Sequence, residues 1–232
     1  MKKWMLSIMA VCLLLTGCGQ TEQGAEEDTA APGNAVVETE ESTPDNAEQS
    51  AVVVQPLPDT TMDDLNDAIL AVSLEEGGAY VDDEGILQMD VFVYSYNKYD
   101  MVDIATLAVG DTLSGTAGDM VVTSMEQTDT GLIIINGGLT EGGIELTTND
   151  EGIYYEIGFD DVKSWYEVGE ATLRVSTEFE YVDKSDLEKG DVVYYPGSFL
   201  TEEVTDYNFT PYNTTIRVEG GQIVEMTRIF TP

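Results

Sequence analysis

The sequence predicts an all-β protein: an antiparallel β-sandwich or barrel of roughly ten short strands, with at most one or two short helical turns. Three observations carry this. Apolar and polar residues alternate with period two, most clearly at Ala171, Leu173, Val175, Thr177, Phe179 and Tyr181 against Thr172, Arg174, Ser176, Glu178 and Glu180. Hairpin signals separate such runs, at Thr128-Asp129-Thr130-Gly131, Asn149-Asp150-Glu151-Gly152 and Gly220-Gly221. Helical spacing is confined to short stretches.

In chain order, Thr60 to Asp64 suits a helical turn, followed by a strand over 68–75 with Ala68, Leu70, Val72 and Leu74 on one face. Asp90 to Lys98 alternates and puts Phe92, Tyr94 and Tyr96 on one face, which we expect to face the core. Met120–Gln127 and Leu132–Asn136 form one hairpin, Ile144–Thr148 and Ile153–Ile157 a second. Asp161–Tyr166 reads as a single helical turn. Asp191–Tyr195 is a strand. Thr214–Glu219 and Gln222–Phe230 flank a Gly-Gly pair that tolerates the positive φ angles of a tight primed turn. An echo at an offset of 80 relates Asp103…Gly110-Asp111 to Asp183…Gly190-Asp191, with a partial copy at Val168-Gly169-Glu170. Its content is turn chemistry: glycine takes the unusual backbone angles and an acid caps the amide before an apolar strand.

The chain of 232 residues carries 9 basic and 45 acidic side chains, a net charge of −36, with no histidine and two cysteines. His-based catalysis and His metal ligation are therefore excluded. Both cysteines, Cys12 and Cys18, lie near the start, so the body has no thiol nucleophile, thiolate metal site or disulfide.

Met1-Lys2-Lys3 is a basic n-region, and Trp4 to Leu15 is an apolar run broken by Ser7. It is too short for a bilayer core, which needs about 20 residues, and reads as an export signal. The Leu15-Thr16-Gly17-Cys18 that follows resembles the lipobox of bacterial lipoproteins. The resemblance implies cleavage before Cys18, a diacylglycerol on its sulfur, acylation with fatty acid such as palmitate, and anchoring to the outer face of a bacterial plasma membrane of the Gram-positive kind. Two chains anchor stably where one is marginal.

Residues 19–58 hold nine acids, no base, no aromatic and four of the seven prolines. Such a stretch cannot bury enough apolar surface to offset ordering entropy. We expect a signal peptide over 1–17, a lipidated cysteine and disordered tether over 18–58, and a single β-rich domain over 59–232, with Val52-Val53-Val54 as linker in preference to a sticky patch or a sheet-edge strand. A tether of this length has a reach of about 35 Å. The segments Ala79 to Gly85, Tyr99 to Asp103 and Pro211 to Thr215 resemble uncharacterised lipoproteins of gut clostridia, which implies location and lineage but no activity.

Chemistry is sparse in the body. Lys163-Ser164 and Lys184-Ser185 are adjacent in sequence, so on a strand they point to opposite faces and read as solvent-facing. Acid pairs such as Asp160-Asp161 and Glu202-Glu203 supply the carboxylates of a glycoside hydrolase, yet 36 acids in the body make pairs uninformative. Only oxygen ligands remain for a metal, which points to Ca2+ or Mg2+, with Ca2+ the candidate cofactor. Its candidate ligands are Asp82, Asp83 and Glu84 in one loop and Asn149, Asp150 and Glu151 in another, although turn residues account for both. From residue 59 onward, seven bases against 36 acids leave −29, which opposes nucleic acid. Thr205 to Asn213 mixes aromatics with amides and hydroxyls without a clean period, the blend of a binding loop, although a loop that anchors its aromatics back onto the sheet accounts for it as well. The expected function is thus a membrane-anchored cell-surface binding module, non-enzymatic, for a glycan, peptide or protein. Its candidate ligand-binding residues are Tyr207, Asn208, Phe209, Tyr212 and Asn213. The alternatives are a carboxylate glycoside hydrolase and a Ca2+-stabilised structural or adhesive module.

Overall fold

The computed structural model describes residues 51–58, 61–149, 151–159, 162–201, 204 and 208–231. The signal segment, Cys18, Asp150, Asp160, Asp161, Glu202, Glu203 and Tyr207 lie outside the described residues. The fold is all-β. The described strands are β1 (Val53–Val54), β2 (Ala68–Ser73), β3 (Ala79–Val81), β4 (Leu87–Tyr96), β5 (Lys98–Tyr99), β6 (Thr112–Gly115), β7 (Gly118–Val121), β8 (Met125–Gln127), β9 (Ile133–Ile135), β10 (Ile144–Thr148), β11 (Tyr154–Ile157), β12 (Trp165–Lys184), β13 (Val192–Tyr194), β14 (Thr214–Glu219) and β15 (Gln222–Ile229). The named helical elements among the described residues are α1 (Met101–Thr106) and α2 (Pro196–Phe199), with 3-10 turns at Met62–Asp64 and Leu139–Glu141.

The strand pairings close a ring. β2 pairs β4, β4 pairs β12, β12 pairs β15 in parallel, β15 pairs β14, and β14 returns to β2. All but the one parallel contact are antiparallel. These five strands form a closed barrel. The twenty-residue β12 serves both sides because it is bent: its first half lies on β4, its second on β15, and Arg174 is paired to each. An irregularity in register lies between Glu167 and Gly169, and Gly169 leaves room there for Met62, since a Cβ would sit 3.1 Å from that side chain.

The barrel interior is aliphatic along its strands and aromatic at one end. Leu70, Val72, Met89, Val91, Val93, Leu173, Val175, Ile216, Val218, Ile223 and Met226 form the shaft. Phe179, Tyr181, Phe199 and Phe209 close the end, their rings meeting edge-on or stacked at 5.4–6.4 Å between centroids. The expected core face of β4 is the opposite one. Leu87, Met89, Val91, Val93 and Ser95 point inward, while Phe92, Tyr94 and Tyr96 lie half-buried outside. From Val91 to Tyr96 both faces of this strand carry apolar or aromatic side chains, and the narrow barrel takes the slimmer ones.

A second layer is inserted between β4 and β12. Its sheet has the order β5-β11-β10-β9-β8, and a smaller sheet has the order β1-β6-β7. They share a core of Val54, Tyr99, Ile104, Leu107, Leu113, Val122, Ile133, Ile135, Ile144 and Leu146. Both predicted hairpins are present here, β8–β9 and β10–β11. The run from Met120 to Gln127 is divided into β7 and β8 with Val122 buried between them. Residues Val53 and Val54, expected as linker, instead pair in parallel with Thr112 and Leu113. Val54 is buried, and the Leu57 amide donates to the Lys98 carbonyl. The folded part therefore begins before residue 59.

One carboxylate is sealed inside this layer. Glu156 accepts from Asn97 Nδ2 at 2.9 Å, from the Tyr99 hydroxyl at 2.5 Å and from the Thr116 amide at 3.2 Å. Gly115 leaves room for it, since a Cβ there would lie 2.8 Å from Glu156 Oε1. Burial first, and the adjacent Glu156 second, push the Tyr99 phenol far above its ordinary range. The group ties β4, β5, β6 and β11 together as a satisfied polar network.

The expected helical turn over 161–166 is not formed at its described positions. Lys163 bridges Ile157, and Trp165 and Tyr166 already belong to β12. The offset echo reduces to turns at two of its three sites. Gly110 and Gly190 have positive φ, and β6 and β13 follow them. Asp111 caps the Ala108 and Val52 amides, whereas Gly169 of the third copy is the β12 irregularity. The Gly220-Gly221 pair takes φ of 55° and 75°, as a primed turn requires.

Candidate functional site

A groove of about 850 Å3 opens where the inserted layer returns to the barrel. Phe159, Val162, Lys163 and Trp165 on the return segment form one wall. Asn208, Pro211, Tyr212 and Asn213, from the loop before β14, form the other, and Ile229 of β15 contributes its exposed side chain. Phe159 is 69% exposed, Tyr212 48% and Ile229 49%, so the groove presents an apolar and aromatic surface to water.

The loop wall is built by a side chain that caps its own backbone. Asn213 Oδ1 accepts from the Thr210 amide at 3.0 Å and the Thr214 hydroxyl at 2.6 Å, and its Nδ2 donates to the Asn208 carbonyl at 3.1 Å. This Asx-type closure sets Tyr212 outward at the tip. Asn213 thus positions the loop. Phe209, a candidate ligand contact by sequence, is instead 5% exposed and stacked inside the barrel end, with a bridge from its backbone to Leu74. It is the anchor that holds the loop down. Of the five candidate residues, then, Asn208, Tyr212 and Asn213 line the groove, Phe209 is core, and Tyr207 lies outside the described residues.

The other wall was missed by sequence reasoning. Lys163, expected to face solvent, lies over aromatic rings, its Nζ 4.3 Å from the Tyr96 centroid, 5.5 Å from Trp165 and 5.6 Å from Tyr155. Tyr96 meets Trp165 and Tyr155 edge-on at 4.9 and 5.9 Å. The signal available was Trp165 itself, a lone tryptophan in the body beside a lysine, in a segment with too little pattern to place.

The two acidic loops behave as turns. Asp82 Oδ1 accepts from the Glu84 and Ile86 amides and Oδ2 from Gln88 Nε2. These bonds, the Ile86 amide foremost, hold its carboxyl below the usual carboxylate range. Asp83 and Glu84 are exposed at the turn tip. Asn149 Oδ1 accepts from the Glu151 and Ile153 amides, and Glu151 receives only a long bond from Asn149 Nδ2. Among the described residues, no three acidic side chains gather as a metal ion requires.

A second cleft of about 530 Å3 lies on the outer face of β4 and β12, lined by Glu75, Glu76, Asp90, Glu170, Phe92 and Thr172. Asp90 accepts from the Thr172 hydroxyl at 2.6 Å. Four carboxylates line this face, a charge that opposes a phosphate backbone. No protein-family profile matches the chain, and neither a curated protein nor a solved structure is similar to it.

Proposed function

We propose that this chain is a lipid-anchored cell-surface binding module, whose ligand lies in the groove between Trp165 and Tyr212. The observation that carries the reading is the exposure of Phe159, Tyr212 and Ile229 along one groove that amide and hydroxyl side chains also line. Exposed rings give rigid contact area, and amides and hydroxyls give directional hydrogen bonds, the composition of sites for glycans and peptides. The barrel supplies the rigid base, since Phe209 and the Asn213 closure fix the loop that bears Tyr212. The lipid on Cys18 holds the module at the outer face of the plasma membrane.

Glycan and peptide arrays probed with the full chain supply the test, followed by affinity measurements on Tyr212→Ala and Phe159→Ala. Both side chains are exposed, so both variants keep their melting temperature. The reading expects a hit whose affinity falls at least tenfold in one of them. A hit that neither variant weakens removes the groove from the account. Anchoring is tested separately by metabolic labelling with palmitate, which Cys18→Ala abolishes if the anchor is as proposed.

A further inference from the structure

The groove holds a second feature beside its exposed wall. The rings of Tyr96, Tyr155 and Trp165 surround one position, and an ammonium group occupies it: Nζ of Lys163, at 4.3, 5.6 and 5.5 Å from the three centroids. Lys98 reaches the Tyr96 ring as well, at 5.3 Å. Two of the seven bases in the body therefore converge on one ring. An aromatic cage attracts a cation through the negative faces of its rings, the arrangement that recognises quaternary ammonium ligands. The cage is not sealed: all three rings are half-buried, and Lys163 and Trp165 line the groove itself. The field of a body with net charge −29 draws cations toward it.

We propose that this cage is a subsite for an organic ammonium group, kept closed by Lys163 until the ammonium of a ligand takes its place. This deepens the groove reading and rests on it, since the ligand enters by the same opening. Lys163 acts as an internal competitor. A ligand bearing a quaternary or primary ammonium recovers the same ring contacts and releases the lysine to water. An uncharged ligand leaves the lysine seated.

Trp165 gives a direct readout. With Trp4 replaced by Phe, it is the only tryptophan in the chain. Fluorescence is titrated with tetramethylammonium chloride against sodium chloride at constant ionic strength, so that screening is held fixed. The unaltered site is compared with Lys163→Met, which keeps an apolar stem and drops the charge. The proposal expects a saturable change in both, with half-saturation at least tenfold lower in Lys163→Met, and loss of the response in Tyr96→Leu. Melting curves confirm that each variant is folded, and Lys163→Gln replaces Lys163→Met, or Tyr155→Leu replaces Tyr96→Leu, if either is not. Absence of a saturable change, equal half-saturation with and without Lys163, or a response that survives loss of the cage overturns the proposal. If an array ligand remains sensitive to Tyr212→Ala while tetramethylammonium has no effect, the ammonium subsite falls and the groove reading stands.

Discussion

At the scale of single residues, backbone clearance and turn capping decide more than surface charge. Gly143 precedes β10, and a Cβ on it would lie 1.9 Å from the Ile135 carbonyl oxygen. Backbone has to move to admit it, so Gly143→Ala is expected to cost about 3 kcal/mol or more in chemical denaturation. Gly197 in α2 has open space around it and an ordinary φ, and Gly197→Ala is expected to be neutral or slightly stabilising. Asp82 shows the same logic with a proton. Its folded pKa lies below the ordinary value, so its contribution is present above the unfolded pKa and is lost as pH falls through the folded one. Asp82→Ala should therefore melt lower than the parent at pH 7, and the difference should shrink as pH falls through the folded pKa of Asp82. The turn-forming role of Asp82 was legible in Asp-Asp-Glu-Gly. That the 205–213 loop anchors an aromatic on the sheet was among the readings the sequence allowed. Which aromatic goes inside was not legible, because a run without period gives no face and only the barrel end defines that Phe209 fits.

At the scale of elements, alternation identified strands well and faces less well. The second half of β12, from Ala171 to Tyr181, was legible because one face is mostly apolar and the other mostly charged, although Thr177 of the apolar face is exposed and Trp165 and Tyr166 were expected in a helical turn. β4 was not, because Leu87, Met89, Val91 and Val93 compete with Phe92, Tyr94 and Tyr96, and the inserted layer covers Tyr96 through Tyr155. β1 was legible only as the less favoured reading, for a different reason. Two residues carry no periodicity, and they sit in a stretch whose composition argues for a linker. Its pairing with β6 and the burial of Val54 give a direct expectation. A chain beginning at residue 59 should melt several degrees below one beginning at residue 48, with a matching loss of amide protection at Thr112, which donates to Val52. Equal melting temperatures would return residues 52–57 to the tether.

At the scale of the whole molecule, one closed barrel carries an inserted layer, and the groove lies where the two chain paths meet. The barrel order was beyond the sequence, because β12 pairs with strands on both sides and its parallel contact with β15 spans a long interval of chain. The charge was fully legible and has its own consequence. A net −29 on residues 59–232 repels itself in the compact state, and salt screens that repulsion. The melting temperature should rise as sodium chloride goes from 10 to about 200 mM, and a fall would mean that attractive ion pairs outweigh the repulsion. The central claim is that binding happens in the groove, away from the acidic face of β4 and β12. Hydrogen exchange by mass spectrometry, with and without the strongest array ligand, tests it most directly. The account predicts protection concentrated at 208–215 and 162–166, with little change at 75–78 and 88–92. Protection centred on 75–78 and 88–92 instead would place the ligand on the acidic cleft and contradict it.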